Sequence, residues 1–77
     1  MNTTQSVRHL TAIITQEEDM FVALCPEYDV ASQGFTVEEA RANLGEALQL
    51  FFEEASASEI ARRSRGVYVT HLELAHG

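Results

Sequence analysis

Residues 20–40 read Met20-Phe21-Val22-Ala23-Leu24-Cys25-Pro26-Glu27-Tyr28-Asp29-Val30-Ala31-Ser32-Gln33-Gly34-Phe35-Thr36-Val37-Glu38-Glu39-Ala40. Met20 to Cys25 is apolar at every position, which predicts a strand that must be covered on both faces. Pro26 cannot donate to a sheet ladder and pre-sets a turn, so the chain is expected to return over Tyr28 to Gln33 as a neighbouring strand. Gly34 supplies a permissive backbone at the strand-to-helix corner. Thr36 and Glu39 have the spacing of a capping box, and Glu38 with Glu39 suits the positive end of a helix. Beyond them Val37, Ala40, Leu44, Ala47, Leu48 and Phe51 recur at helical spacing, giving an amphipathic helix over Val37–Glu54.

Upstream, Arg8 to Thr15 alternates with Leu10, Ala12 and Ile14 on one face, the pattern of a first strand, and residues 1–7 form a polar tail expected to be flexible. Gln16-Glu17-Glu18-Asp19 fits a charged hairpin loop. Downstream, Ala55-Ser56-Ala57-Ser58 interrupts the helical pattern, one short helical turn is expected around Ser58 to Arg62, and Val67 to Leu74 alternates again as a fourth strand. A helix between strands three and four implies a crossover, which brings the fourth strand parallel to the first. The expected architecture is α+β, a β-β-β-α-β single domain over residues 1–77 with a mostly antiparallel sheet and one covering helix. Gly45, inside the helix, costs about 1 kcal/mol relative to Ala and leaves room for close approach of a neighbouring backbone.

Seventy-seven residues bury only about 60% of the surface of the unfolded chain, so added burial through a homo-oligomer, dimer or tetramer, is expected. One helix covers one face of the sheet. The other face of Met20, Phe21, Val22, Ala23, Leu24 and Cys25, whichever alternate set the helix leaves free, is the expected oligomer interface. Twelve acidic residues against five basic ones give a formal charge of −7, which disfavours phosphate backbones and anionic membranes and suits a basic protein partner. The basic residues are all Arg, with Arg62, Arg63 and Arg65 clustered in a connector. A single cysteine permits no internal disulfide, the longest apolar run is six residues, and no signal core stands at the N-terminus, so a reducing, cytoplasmic location without membrane insertion is expected.

Chemistry is sparse. Cys25 as a nucleophile would need a base and a positive environment, and nothing places His9, His71 or His76 beside it. His71 and Glu73 share a strand face but offer only two metal ligands. The carboxylates fall at a loop tip, a helix start and a helix end, each with a solvation or capping role, and glycines at 34, 45, 66 and 77 build no phosphate cradle. No catalytic residue, metal site or cofactor is assigned, and the chain is read as a non-enzyme.

The ordered set Cys25, Pro26, Glu27, Gly34, Thr36, Glu38, Glu39, Ala40, Asn43, Glu46 and Ala47 resembles the HicB-like antitoxins, in particular their short, single-domain members, with the likeness running over residues 8–75. The resemblance implies a partial RNase H-like fold without nuclease activity. It further implies a partner, a small basic HicA-like ribonuclease toxin, which the protein would neutralise by binding. Phe35 and Asp29 depart from the family pattern at positions that often hold an acidic residue and a Pro or Gly. Many members carry a further DNA-binding domain of the ribbon-helix-helix or helix-turn-helix type; none is read within residues 1–77, so direct DNA binding is not expected. Glu17, Glu18, Asp19, Glu27 and Asp29, in exposed acidic turns, are the expected partner contacts. The alternative is an orphan homo-oligomeric scaffold, regulatory or ligand-binding, without a toxin.

Overall fold

Strand β1 (Ile13–Glu17), β2 (Met20–Cys25) and β3 (Val30–Gly34) form an antiparallel sheet in the order β1-β2-β3, followed by helices α1 (Val37–Glu54) and α2 (Ala57–Arg63). This is the fold in a computed structural model that describes residues 8–77. The tail expected over residues 1–7 lies outside the described residues. The coarse α+β expectation holds, and β2 and α1 have the limits that the apolar run and the capping box predict.

Three local details differ from the sequence reading. The first strand is displaced toward the turn, because Glu17 pairs with Met20 and the hairpin closes through Glu18 and Asp19 alone rather than through a four-residue loop. Glu18 takes a φ of 58°, in the left-handed region that a tight hairpin connection demands. The third strand begins at Val30 because Pro26 to Asp29 are all spent on the turn, in which Asp29 also has a φ of 58°. The short helical turn expected around Ser58 to Arg62 is present but longer, running over Ala57–Arg63, with the Ser56 hydroxyl accepting from Glu59 N at 3.1 Å.

The larger correction concerns Val67–Leu74. It forms no strand, and among the described residues the sheet has three strands, none parallel. A strand exists only when its amides and carbonyls meet a ladder partner. After α2 the chain is tied to the β2–β3 turn by Arg65 N donating to Glu27 O at 3.1 Å, and from Gly66 onward it makes no hydrogen bond to the body among the described residues.

The register decides which side chains meet α1. Phe21 pairs with Gly34, Ala23 lies between Ile14 and Ser32, and Cys25 pairs with Val30. On that face Ala23 and Cys25 are fully buried with Ala40, Leu44 and Tyr28. Phe21, Ile14, Leu48, Phe51 and Phe52 pack around them. Small residues dominate the centre, so the helix sits close to the sheet. Gly34 is the tightest point: a Cβ there would stand 2.6 Å from Ala40 N and 2.9 Å from the Glu39 carbonyl carbon. At the start of α1, Thr36 Oγ1 accepts from Glu39 N at 3.0 Å, while the Glu39 carboxylate reaches back to Phe35 N at 2.6 Å, one residue before the usual partner of a capping box.

Two substitutions test this packing. Gly34→Ala should lower unfolding free energy by about 1–3 kcal/mol, since the backbone of α1 must move to admit a methyl. Glu18→Gly should raise it by about 0.5–1 kcal/mol by relieving the left-handed residue. Urea titration of both variants measures these changes.

Candidate partner-binding surface

The expected partner contacts separate into two groups at opposite ends of the hairpins. Glu17, Glu18 and Asp19 lie at the β1–β2 turn, whereas Glu27 and Asp29 lie in the β2–β3 turn, so the length of β2, about 17–20 Å, stands between them. They do not make one patch. Because Gly34 pairs with Phe21, β3 delivers the start of α1 to the β1–β2 end, which adds Glu38 and Glu39 and the exposed Phe35 to that end of the molecule. The sheet face turned away from α1 carries Ile13, Met20, Val22 and Leu24, and a shallow depression of about 380 Å³ on it is lined by Glu17, Glu18, Met20, Val22 and Gln33. The two members of the expected oligomer interface that are fully buried, Ala23 and Cys25, face the helix, as does Phe21. Only Met20, Val22 and Leu24 are offered to another chain from β2.

The opposite end is organised differently. Arg8 stacks over Phe52 at 4.2 Å and Arg63 over Phe51 at 4.9 Å, while the Tyr28 ring meets Phe52 edge-on at 5.0 Å and Phe51 at 5.7 Å. Arg63 also donates to the Asp29 carbonyl at 3.0 Å. These contacts bind the β2–β3 turn to the end of α1 and to α2. Four of the five arginines, Arg8, Arg62, Arg63 and Arg65, thus gather here, leaving the β1–β2 end acidic.

Glu27 is turned inward rather than toward a partner. One carboxylate oxygen accepts from the Thr11 hydroxyl at 2.6 Å, both lie 3.1 Å from Thr11 N, and Cys25 Sγ donates to it at 3.3 Å. The carboxylate fixes the extended segment before β1 against the turn after β2. Burial alone would raise its pKa, but the hydrogen bonds from the Thr11 hydroxyl and amide and from Cys25 outweigh that and hold it below the ordinary value. The Cys25 thiol is pushed up, first by burial and then by its hydrogen bond to the Glu27 carboxylate, so it stays protonated and a poor nucleophile. Neither the Thr11–Glu27 link nor the Tyr28 wedge is visible in local pattern; the Ser56-x-x-Glu59 spacing that starts α2 is.

Among the described residues no helix is long and apolar enough to cross a membrane, and no three His, Cys, Asp or Glu side chains come together as metal ligands. No family model, no curated protein and no solved structure matches the chain.

The Glu27 link sets an acid limit. Since its folded pKa is depressed, its stabilisation is complete above the unfolded carboxylate value of about 4.3 and is lost as pH falls through the folded value. Glu27→Gln should lower stability at neutral pH and flatten the dependence below about pH 4, read from urea midpoints across pH. At neutral pH, alkylation of Cys25 should proceed only as fast as the sheet opens.

Proposed function

We propose that this chain is a non-enzymatic, antitoxin-like binding module that neutralises a small basic ribonuclease of the HicA-like kind. The observation that carries the reading is the acidic end, where Glu17, Glu18 and Asp19 border an apolar sheet face left open by α1. An interface with an apolar centre and a charged rim draws affinity from the centre and encounter rate from the rim. The net charge of −7 favours a basic partner, and the free thiol suits a reducing, cytoplasmic setting. The order of a three-stranded antiparallel sheet followed by a helix agrees with the coarse part of the HicB-like, partial RNase H-like fold. In this reading Glu17, Glu18 and Asp19 make the main polar contacts. Asp29 touches a separate part of the partner, and Glu27 contributes by shaping the turn.

A second reading, an orphan homo-oligomeric scaffold that holds a ligand, draws on a groove of about 450 Å³ between Arg8 and α1. It is lined by Leu10, Gly45, Leu48 and Phe52 with Arg8 and Glu53 at its rim. A groove of that size and lining is of the kind that takes a small molecule. A Cβ at Gly45 would meet nothing within 4 Å, so the groove is open at that point.

Affinity capture from lysate at low salt should retain a small basic protein in fixed ratio, and that protein should cleave RNA until this chain is added. The combined variant Glu17→Lys, Glu18→Lys, Asp19→Lys should weaken the complex by about 10- to 100-fold, mostly through slower association, as measured by calorimetry and stopped flow. Unchanged affinity rejects the acidic surface, and capture of nothing but the chain itself favours the scaffold.

A further inference from the structure

The segment from Val67 to Leu74 has the composition and alternation of a strand, yet it forms no strand and no ladder with the described residues. Tyr68, Leu72 and Leu74 are 93%, 88% and 80% exposed, and all three fall at positions of one parity, so an extended backbone puts them on one face. Such a stripe is unsuited to permanent exposure. The dimensions of the molecule agree that it stands away from the body. The principal extents are 59 × 28 × 26 Å, and the excess along the long axis is comparable with the roughly 27 Å spanned by the eight residues Val67–Leu74 when extended. The radius of gyration, 15.4 Å, also exceeds the value of about 11.5 Å for a compact chain of this length.

The sheet offers a matching vacancy. β1 is an edge strand paired only with β2, and among the described residues its outward amides and carbonyls have no other backbone partner. The β3 edge is less free, since Asn43 Nδ2 from α1 donates to the Gln33 carbonyl at 2.8 Å. An open edge beside an unpaired strand-like segment is the arrangement that leads identical chains to exchange an element.

We infer that Val67–Leu74 of one copy adds as a fourth strand to the free edge of β1 in a second copy, and that the exchange is reciprocal. The occupant is a second copy of this chain because the segment leaves its own body at Arg65, held there by Glu27 O, and projects outward instead of folding back along its own β1. A closed two-fold pair satisfies both β1 edges and covers both apolar stripes, with no open end for further addition. The inference is independent of any toxin, since it concerns the β1 edge and not the acidic end.

The test is solution mass by light scattering at about 100 µM, on the full chain and on the double variant Val69→Pro, Leu72→Pro. The two prolines stand at positions of opposite parity, so they remove a ladder donor whichever amides face β1. The full chain should have twice the 8.6 kDa chain mass and the double variant the mass of one chain. A chain ending at Arg65 should behave as the double variant does, and far-ultraviolet dichroism should show the body of both still folded. To locate the seam, Gln16→Cys, on the α1 side of β1 beside Phe21, and Thr70→Cys, on the face of the apolar stripe, are introduced on separate chains in a Cys25→Ser background and the chains are mixed under oxidation; a disulfide joining the two is expected. A monomeric full chain overturns the inference. So does a dimer that survives the prolines or the truncation, or a proline-sensitive dimer in which the mixed chains are not joined.

Discussion

Gly34 holds the fold together by what it lacks. The backbone of α1 at Glu39 and Ala40 lies where a side chain at this position would be. That approach fixes how deep the helix sits on the sheet, and it selects the small residues Ala23, Cys25 and Ala40 as the centre of the contact. Close packing of small groups positions the helix well, but each contributes less apolar burial than a Leu or Phe would. Among the described residues, Leu44 and Tyr28 are the only large side chains that are buried. The body is therefore well specified in geometry and short of hydrophobic stabilisation, the combination in which surface added by another chain would count most.

A second tie works at the far end of the molecule. Tyr28 wedges against Phe51 and Phe52, Arg63 and Arg65 reach the β2–β3 turn, and Glu27 draws Thr11 against it. These contacts consume the polar groups of that turn in structure. The β1–β2 end has no comparable ties among its acids, apart from Glu39 in its capping role. The two ends thus differ in kind, one occupied in holding the fold, the other free to meet a partner. Arg8 and Arg63 stack on the aromatic cluster, so their charge offsets Glu53, Glu54 and Glu59 at that end and leaves the acids of the β1–β2 end less compensated.

Legibility in the sequence followed how local each signal was. The unbroken apolar run of β2 and the Thr36–Glu39 spacing are complete within a few residues, and both elements have the limits those signals predict. The position of β1 was less legible because its alternation extends back to Arg8, while the ladder is set by a turn at Glu18 and Asp19 whose residues do not advertise a left-handed backbone. From the sequence Glu27 reads as an exposed acid, because its partner lies sixteen positions upstream and only the fold brings it near. For Val67–Leu74 the alternation reports a residue pattern suited to a strand, but whether a strand forms depends on a free edge to pair with, which no local pattern reports. The acidic surface was legible as composition; its division between two ends was not, since it depends on which turn lies at which end of β2.

If Val67–Leu74 is exchanged between copies as we infer, the body shaped by Gly34 gains stability from a second copy of the chain. Thermal unfolding over about two decades of chain concentration tests it most directly, because association with the folded state makes the midpoint depend on concentration. The midpoint should climb steadily with concentration. A midpoint constant over the whole range would show that the small core suffices alone, and would contradict it.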